Sequence, residues 1–418
     1  MALWKIAKWN ADARQFARIA CLMLSFLASA SGMLEDAAAQ QAPAELSQAQ
    51  AGAPSEPKTE DQPPQPLWQY GASADFGYLL DFDFPPNHLF RSRSTDFKVN
   101  QPDVNMALLY VRKQAVEKSR WGAELTWQAG KDSEAFGFSP TSPNVPDARW
   151  LRHLGPTDLT YLAPVGNGLT IQAGLFGSLL GYDSLYARDN LTYTRPWAGD
   201  YTPYLMFGIN ASYPFSKKLT AVFYLINGFS HLAQVTHGPS VGGQIAYKVS
   251  DRLSFKETLF YGPQQHDAAL PYWRFLSDSL VEWKPSRATV AFEYQVGTEG
   301  VAASGSPRIF WTTAQLPLHW TFSSHWSVTE RPEFFWDPDG RLTGFKQLIA
   351  SNTESLEFRW PFRRWNTIVR LEHRFDNSTG PEGGFFADHY LSPGVIALTP
   401  SQNLLILGLI VSYDSSPH

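Results

Sequence analysis

Along most of this chain, apolar residues fall at every second position. In Arg287–Val296, Ala288, Val290, Phe292, Tyr294 and Val296 alternate with Thr289, Ala291, Glu293 and Gln295. In Trp121–Ala129, Trp121, Ala123, Leu125, Trp127 and Ala129 alternate with Gly122, Glu124, Thr126 and Gln128. Ser240–Val249 repeats the arrangement, with Val241, Ile245, Tyr247 and Val249 set against Gln244 and Lys248. A period of two puts successive side chains on opposite faces of a β-strand, so each run has one oily face and one wet face. No helical spacing separates the runs, and we read about sixteen strands from Leu67 onward. Two are irregular: residues 275–283 alternate poorly and Ile309–His319 is interrupted by Pro317, so counts of fourteen or eighteen stay open.

The connectors alternate as well. Seven are tight and rich in turn residues, such as Val165-Gly166-Asn167-Gly168 and Lys284-Pro285-Ser286-Arg287. Eight are long, among them Phe82–Pro102, Gly177–Pro203 and Asp376–Ser401. Seven turns and eight loops join sixteen strands whose two ends lie on the same side. The expected fold class is all-β: a closed antiparallel transmembrane β-barrel in a bacterial outer membrane, apolar outside and polar inside. About sixteen strands leave an aqueous lumen, whereas eight would be filled by side chains.

Composition supports that picture. Aromatics make up 14% of the chain, which suits two interfacial girdles. No stretch after residue 40 has the roughly 18–20 apolar residues of a membrane helix. A net charge of −5 gives no reason to expect nucleic acid. Residues 1–39 read as a signal peptide: basic Lys5, Lys8, Arg14 and Arg18, apolar Ile19–Leu27, then a small-residue cleavage site at Ala37-Ala38-Ala39 in preference to Ala28-Ser29-Ala30. The single cysteine, Cys21, lies inside that segment, so an exported chain would have no thiol chemistry. Residues 40–66 are Ala, Gln and Pro with few apolar groups and read as a disordered linker; residues 67–418 form the barrel.

The wet face carries charge on three neighbouring strands. Arg370, Glu372 and Arg374 share one face, Glu357 and Arg359 another, and Arg331 sits between Thr329 and Glu333. An arginine facing lipid at mid-depth costs about 2–4 kcal/mol, so these residues are expected to line the pore. The alternative is that they merely brace the wall as ion pairs. The third long loop, Gly177–Pro203, holds Asp183, Arg188, Asp189 and Arg195. It is the expected constriction, where acid facing arginine on the wall would create a transverse field. The alternative places it on the rim.

The run GLTIQAGLFGSLLGYD (168–183), followed by LMFGINASYPFSKKLTAVFYLINGF (205–229), resembles the OmpL-like beta-barrel porin family. The positions that carry the resemblance are Gly174, Phe176, Gly181, Tyr182 and Asp183, then Asn227, Gly228 and Phe229. Asp183 stands where the family pattern has Glu. The end of the chain is similar to the terminal assembly signal of outer-membrane proteins, here Gly408, Val411 and Tyr413, although Asp414–His418 follow the aromatic residue. The resemblance implies an outer-membrane channel of unassigned substrate.

Other chemistry is thin. There is no P-loop, dinucleotide fingerprint, His-Glu-x-x-His or Gly-x-Ser-x-Gly. His231 and His237 share one loop, a weak metal candidate, and Asp337-Pro338-Asp339-Gly340 reads as a turn rather than a calcium loop. No catalytic residue, metal or cofactor is expected. The expected function is a porin, a passive diffusion channel for ions or small polar solutes. The alternatives are a barrel enzyme of the lipase or protease type, which would need a Ser or Asp beside a His at the rim, and a soluble all-β sugar-binding protein. Expected partners are membrane lipid, lipopolysaccharide, the outer-membrane assembly machinery and the solutes, with a homotrimer left open.

Overall fold

A computed structural model describes residues 67–135, 148–229, 238–265, 269–301 and 308–416. The signal peptide, the linker, His231 and His237 lie outside the described residues. The strands are β1 Trp68–Asp81, β2 Pro102–Lys113, β3 Trp121–Ala129, β4 Leu154–Ala163, β5 Leu169–Gly177, β6 Leu205–Pro214, β7 Leu219–Ile226, β8 Ser240–Ser250, β9 Leu253–Gly262 and β10 Arg274–Trp283. They continue as β11 Ala288–Glu299, β12 Ile309–Gln315, β13 Leu318–Thr321, β14 Trp326–Asp337, β15 Gln347–Phe362, β16 Trp365–Ser378, β17 Phe385–Ser392, β18 Val395–Thr399 and β19 Ser401–Asp414.

Each wall strand pairs antiparallel with its sequence neighbours, and β19 returns to pair with β1, which closes the barrel (Gly77 opposite Gly408). The sheet has 17 segments, but β12 and β13 are one wall strand interrupted at Leu316-Pro317. Both halves keep one register: Gln315 faces Glu293 and Glu333, and Leu318 faces Val290 and Glu330. Pro317 cannot donate to the ladder. Its carbonyl still accepts from Ala291 N (3.0 Å), and Leu316 N donates to the Pro332 carbonyl (3.0 Å). The 17 segments therefore make 16 wall strands, the expected number. β17 and β18 form a separate hairpin inside the last long loop.

The outer face is apolar. Trp121, Phe215, Trp320, Trp360, Phe362 and Trp365 stand exposed near the short-turn rim, as a girdle residue should. Large apolar side chains are also buried inside the barrel, where Phe90, Phe176, Tyr193, Trp197, Tyr224 and Phe335 pack together. That interior core exists because loops enter the lumen.

Candidate functional site

The third long loop, residues 178–204, runs from β5 to β6 through the inside of the barrel. It first meets the β8–β12 wall. Gln244 Nε2 (2.8 Å) and Thr258 Oγ1 (3.0 Å) donate to the Leu179 carbonyl, and Asp278 Oδ2 accepts from Gly181 N (2.6 Å). Tyr182 Oη donates to Glu282 (3.0 Å), and Gln315 Nε2 donates to Asp183 Oδ2 (2.7 Å). The loop then crosses to the other side. Tyr186 Oη donates to Gln128 on β3 (2.8 Å), and Tyr193 Oη donates to Asp75 on β1 (2.6 Å).

On the β14–β19 wall the loop is clamped through its own backbone. Arg370 Nη1 donates to the carbonyls of Ala187 (2.7 Å) and Thr192 (2.9 Å). Arg331 Nη1 donates to the Thr194 carbonyl (2.7 Å), and Arg374 Nη1 donates to the Arg195 carbonyl (3.0 Å). The carboxylates take the amides: Glu372 accepts from Tyr193 N (2.6 Å) and Thr194 N (3.0 Å), and Glu333 accepts from Trp197 N (2.6 Å). A peptide chain offers donors and acceptors in alternation, so a wall that alternates arginine with glutamate can satisfy it. Each hydrogen bond to a charged group contributes about 1.5–3 kcal/mol. The wall charges also pair with one another, Arg370 with Glu357 (2.8 Å), Arg359 with Glu357 (2.9 Å), and Arg374 with Glu333 and Asp376 (3.0 Å each).

The clamp extends along the barrel axis. Trp197 Nε1 donates to Ser351 and Asp376 (2.9 Å each) at the long-loop end of β15 and β16. Arg188 pairs with Asp414 (2.8 Å), the last residue of β19 at the short-turn end. Other loops lock onto it. Arg93 of the first loop pairs with Asp200 (2.7 Å) and donates to the Arg195 carbonyl (2.7 Å). Arg195 pairs with Asp96 of the first loop (2.8 Å) and Asp132 of the second (3.0 Å). Burial works against the Arg195 charge, but Asp96 and Asp132 hold its pKa well above the ordinary value. Burial pushes the Asp132 carboxyl well above the usual carboxylate range, and the neighbouring Asp96 adds to that while Arg195 opposes it.

The residues expected to line the pore are therefore brought together, but under the loop. Arg331 is 1% exposed, and Arg370, Glu372 and Arg374 are 0% exposed. Glu357 is buried, and Arg359 keeps part of its side chain open. Among the described residues no ion pair joins Asp183 or Asp189 to Arg331, Arg359, Arg370 or Arg374. Asp189 pairs with Arg188 of the same loop instead (3.5 Å). Glu333, read from the pattern beside Arg331, belongs to the site, whereas Asp75, Arg93, Asp96 and Asp132 complete it and are absent from the residues singled out by pattern. They sit on different strands and loops, and no spacing connects them.

Residues 68–413 match the family described as Putative beta-barrel porin-2, OmpL-like. The chain belongs to this family of outer-membrane porins. No curated protein matches it. Among solved structures, the OmpF porin of Salmonella typhi in complex with daunomycin is 11% identical, covering 83% of this chain and 97% of its own, with a TM-score of 0.51. The anion-selective porin from Comamonas acidovorans is 11% identical, covering 83% and 99%, with a TM-score of 0.50. Identities this low establish a shared barrel fold alone.

Proposed function

We propose that this porin is a passive channel of narrow bore for small polar solutes, with its cross-section set by residues 178–204. The observation that carries the reading is the set of arginine and glutamate bonds that fixes this loop against β14 and β16, with Gln244, Thr258, Asp278 and Gln315 holding its start against the β8–β12 side of the lumen. A loop held in this way leaves solutes only the space beside it. Arg331, Glu357, Arg370, Glu372 and Arg374 are assigned to anchoring, and Asp183, Arg188, Asp189 and Arg195 to the anchored segment. Selectivity then falls to inward charges that stay open to water, such as Arg359, Lys248 and Glu124. The reading includes export by residues 1–39 in a Gram-negative cell, an unstructured spacer at 40–66, and insertion by the assembly machinery through the Gly408–Tyr413 pattern into lipid and lipopolysaccharide. Catalysis forms no part of it.

Swelling of liposomes containing the purified barrel tests the proposal. Sugars of graded size should enter at rates that are linear in their gradient and fall steeply with size. Entry of small sugars no faster than into protein-free liposomes would overturn the channel, and equal entry of mono- and tetrasaccharides would overturn the narrow bore.

A further inference from the structure

The short-turn end of the barrel is strongly cationic. The seven short turns between wall strands hold nine lysines and arginines against two acids, Glu117 and Asp251. Three of these turns follow one another around the wall: 215–218 joins β6 to β7, 251–252 joins β8 to β9, and 284–287 joins β10 to β11. β7 pairs with β8 and β9 with β10, so the three turns stand side by side. Neighbouring strands lie about 4.8 Å apart, which sets successive turns about 10 Å apart. Lys217, Lys218, Arg252, Lys284 and Arg287 line this arc, and all five are exposed. Asp251 is the one acid in these three turns.

The barrel itself occupies two of the five cations. Lys218 Nζ donates to the Val249 carbonyl (3.2 Å), and Lys284 pairs with Glu282 (3.0 Å). Lys217, Arg252 and Arg287 remain, one on each turn. Among the described residues their side chains make no ion pair and no hydrogen bond. A second observation fixes the depth of these groups. Phe215, Tyr247, Trp283 and Trp320 stand exposed on the outer face beside the same turns, with Tyr247 opposite Leu219 and Trp320 opposite Ala288. Exposed rings at a barrel rim sit at the level of the lipid headgroups. A lysine or arginine at that level can lay its methylenes along apolar surface and hold its charge among the phosphates.

We propose that this arc is a docking surface for anionic phospholipids of the leaflet on the short-turn side. The unpaired cations take the phosphates, arginine with a two-pronged fork and lysine as a point charge. The acyl chains then lie along the exposed apolar faces of β7–β9, over Phe223, Ile245 and Leu259. A zwitterionic headgroup fits less well, because its own ammonium competes for the phosphate. Residues 40–66 are the other source of negative charge at this end, through Glu45, Glu56, Glu60 and Asp61 ahead of β1. Two features favour lipid. The cations of the arc are interleaved with rings, which a carboxylate segment does not need. The turns nearer β1 also carry their own cations, Lys118 and Arg120 on one side and Arg363 and Arg364 on the other, so residues 40–66 would meet those first. The proposal rests on the barrel spanning a membrane.

The test offers the full chain, purified in detergent, an equal mixture of phosphatidylglycerol and phosphatidylethanolamine. Retained lipid is counted by native mass spectrometry. The wild type should keep phosphatidylglycerol in roughly fivefold excess or more, the gain expected from even one cation near an anionic surface. The variant Lys217→Gln/Arg252→Gln/Arg287→Gln changes only turn residues and should still be shifted on a gel by heating. Its excess should fall to about twofold or less. Inorganic phosphate at matched ionic strength should leave the lipid in place. Equal retention of the two lipids by the wild type would overturn the proposal, as would an excess that the three glutamines leave unchanged. Displacement by inorganic phosphate would overturn it in favour of a free anion, and an excess seen only after deletion of residues 40–66 would show that segment to be the occupant. A chain that stays dispersed without detergent would sink the membrane reading and this proposal together, whereas equal retention sinks the proposal only.

Discussion

At the scale of single residues, Tyr193 shows how the wall is shaped for the loop. Gly77 and Gly408 face each other across β1 and β19, and a Cβ on either would collide with the Tyr193 side chain. The gap between them receives the ring, whose hydroxyl reaches Asp75 and accepts from Asn105 (2.9 Å). Gly408, read from sequence as part of an assembly signal, thus also serves close packing. Gly408→Val should expel Tyr193, leave the heat-shifted barrel intact and raise the loop's sensitivity to protease; a protease map identical to wild type would contradict the packing role. The ion cluster gives a second prediction. A carboxyl whose pKa rises on folding stabilises the closed cluster below its ordinary pKa of about 4 and loses that contribution as pH rises through the raised value. Asp132 is such a group. Nicking of residues 178–204 by protease should therefore quicken as pH rises above the ordinary carboxylate range, and Asp132→Asn should flatten the profile. A flat wild-type profile would exclude Asp132 as the titrating contact.

At the scale of elements, the strands were legible because alternation is local. Each of Trp121–Ala129, Ala288–Glu299 and Ser240–Ser250 carries its own two-faced pattern. Pro317 blurred the count, since a strand without a ladder donor looks like two fragments until both halves are seen to share one register. The wall charges were legible as inward-facing, but what they bind was not. Arg370 and Glu372 bond to peptide groups about 180 residues away in sequence, and no spacing encodes that. The clamp itself predicts that Arg331→Ala with Arg370→Ala gives a larger and noisier single-channel current. Lysine at both positions should be intermediate, because an ammonium cannot fork between two carbonyls as a guanidinium does. Currents indistinguishable from wild type in the alanine pair would remove these arginines from the anchor.

At the scale of the whole molecule, a closed barrel has no edge strand, and its outer face is apolar while its interior is stitched by charge. Such a barrel should migrate on a denaturing gel as a compact species until boiled, and a single position before and after heating would argue against it. Class, strand number and membrane came from patterns that repeat down the chain. The path of residues 178–204 did not, because the loop's conformation is imposed by wall side chains rather than by its own periodicity. The central claim is that this loop, fixed across the lumen, sets the bore. Single-channel conductance of the intact chain against a variant lacking residues 179–203, both checked for the heat-shifted form, tests it most directly. A severalfold rise in conductance on deletion is the predicted result, and equal conductance in the two barrels would contradict the account.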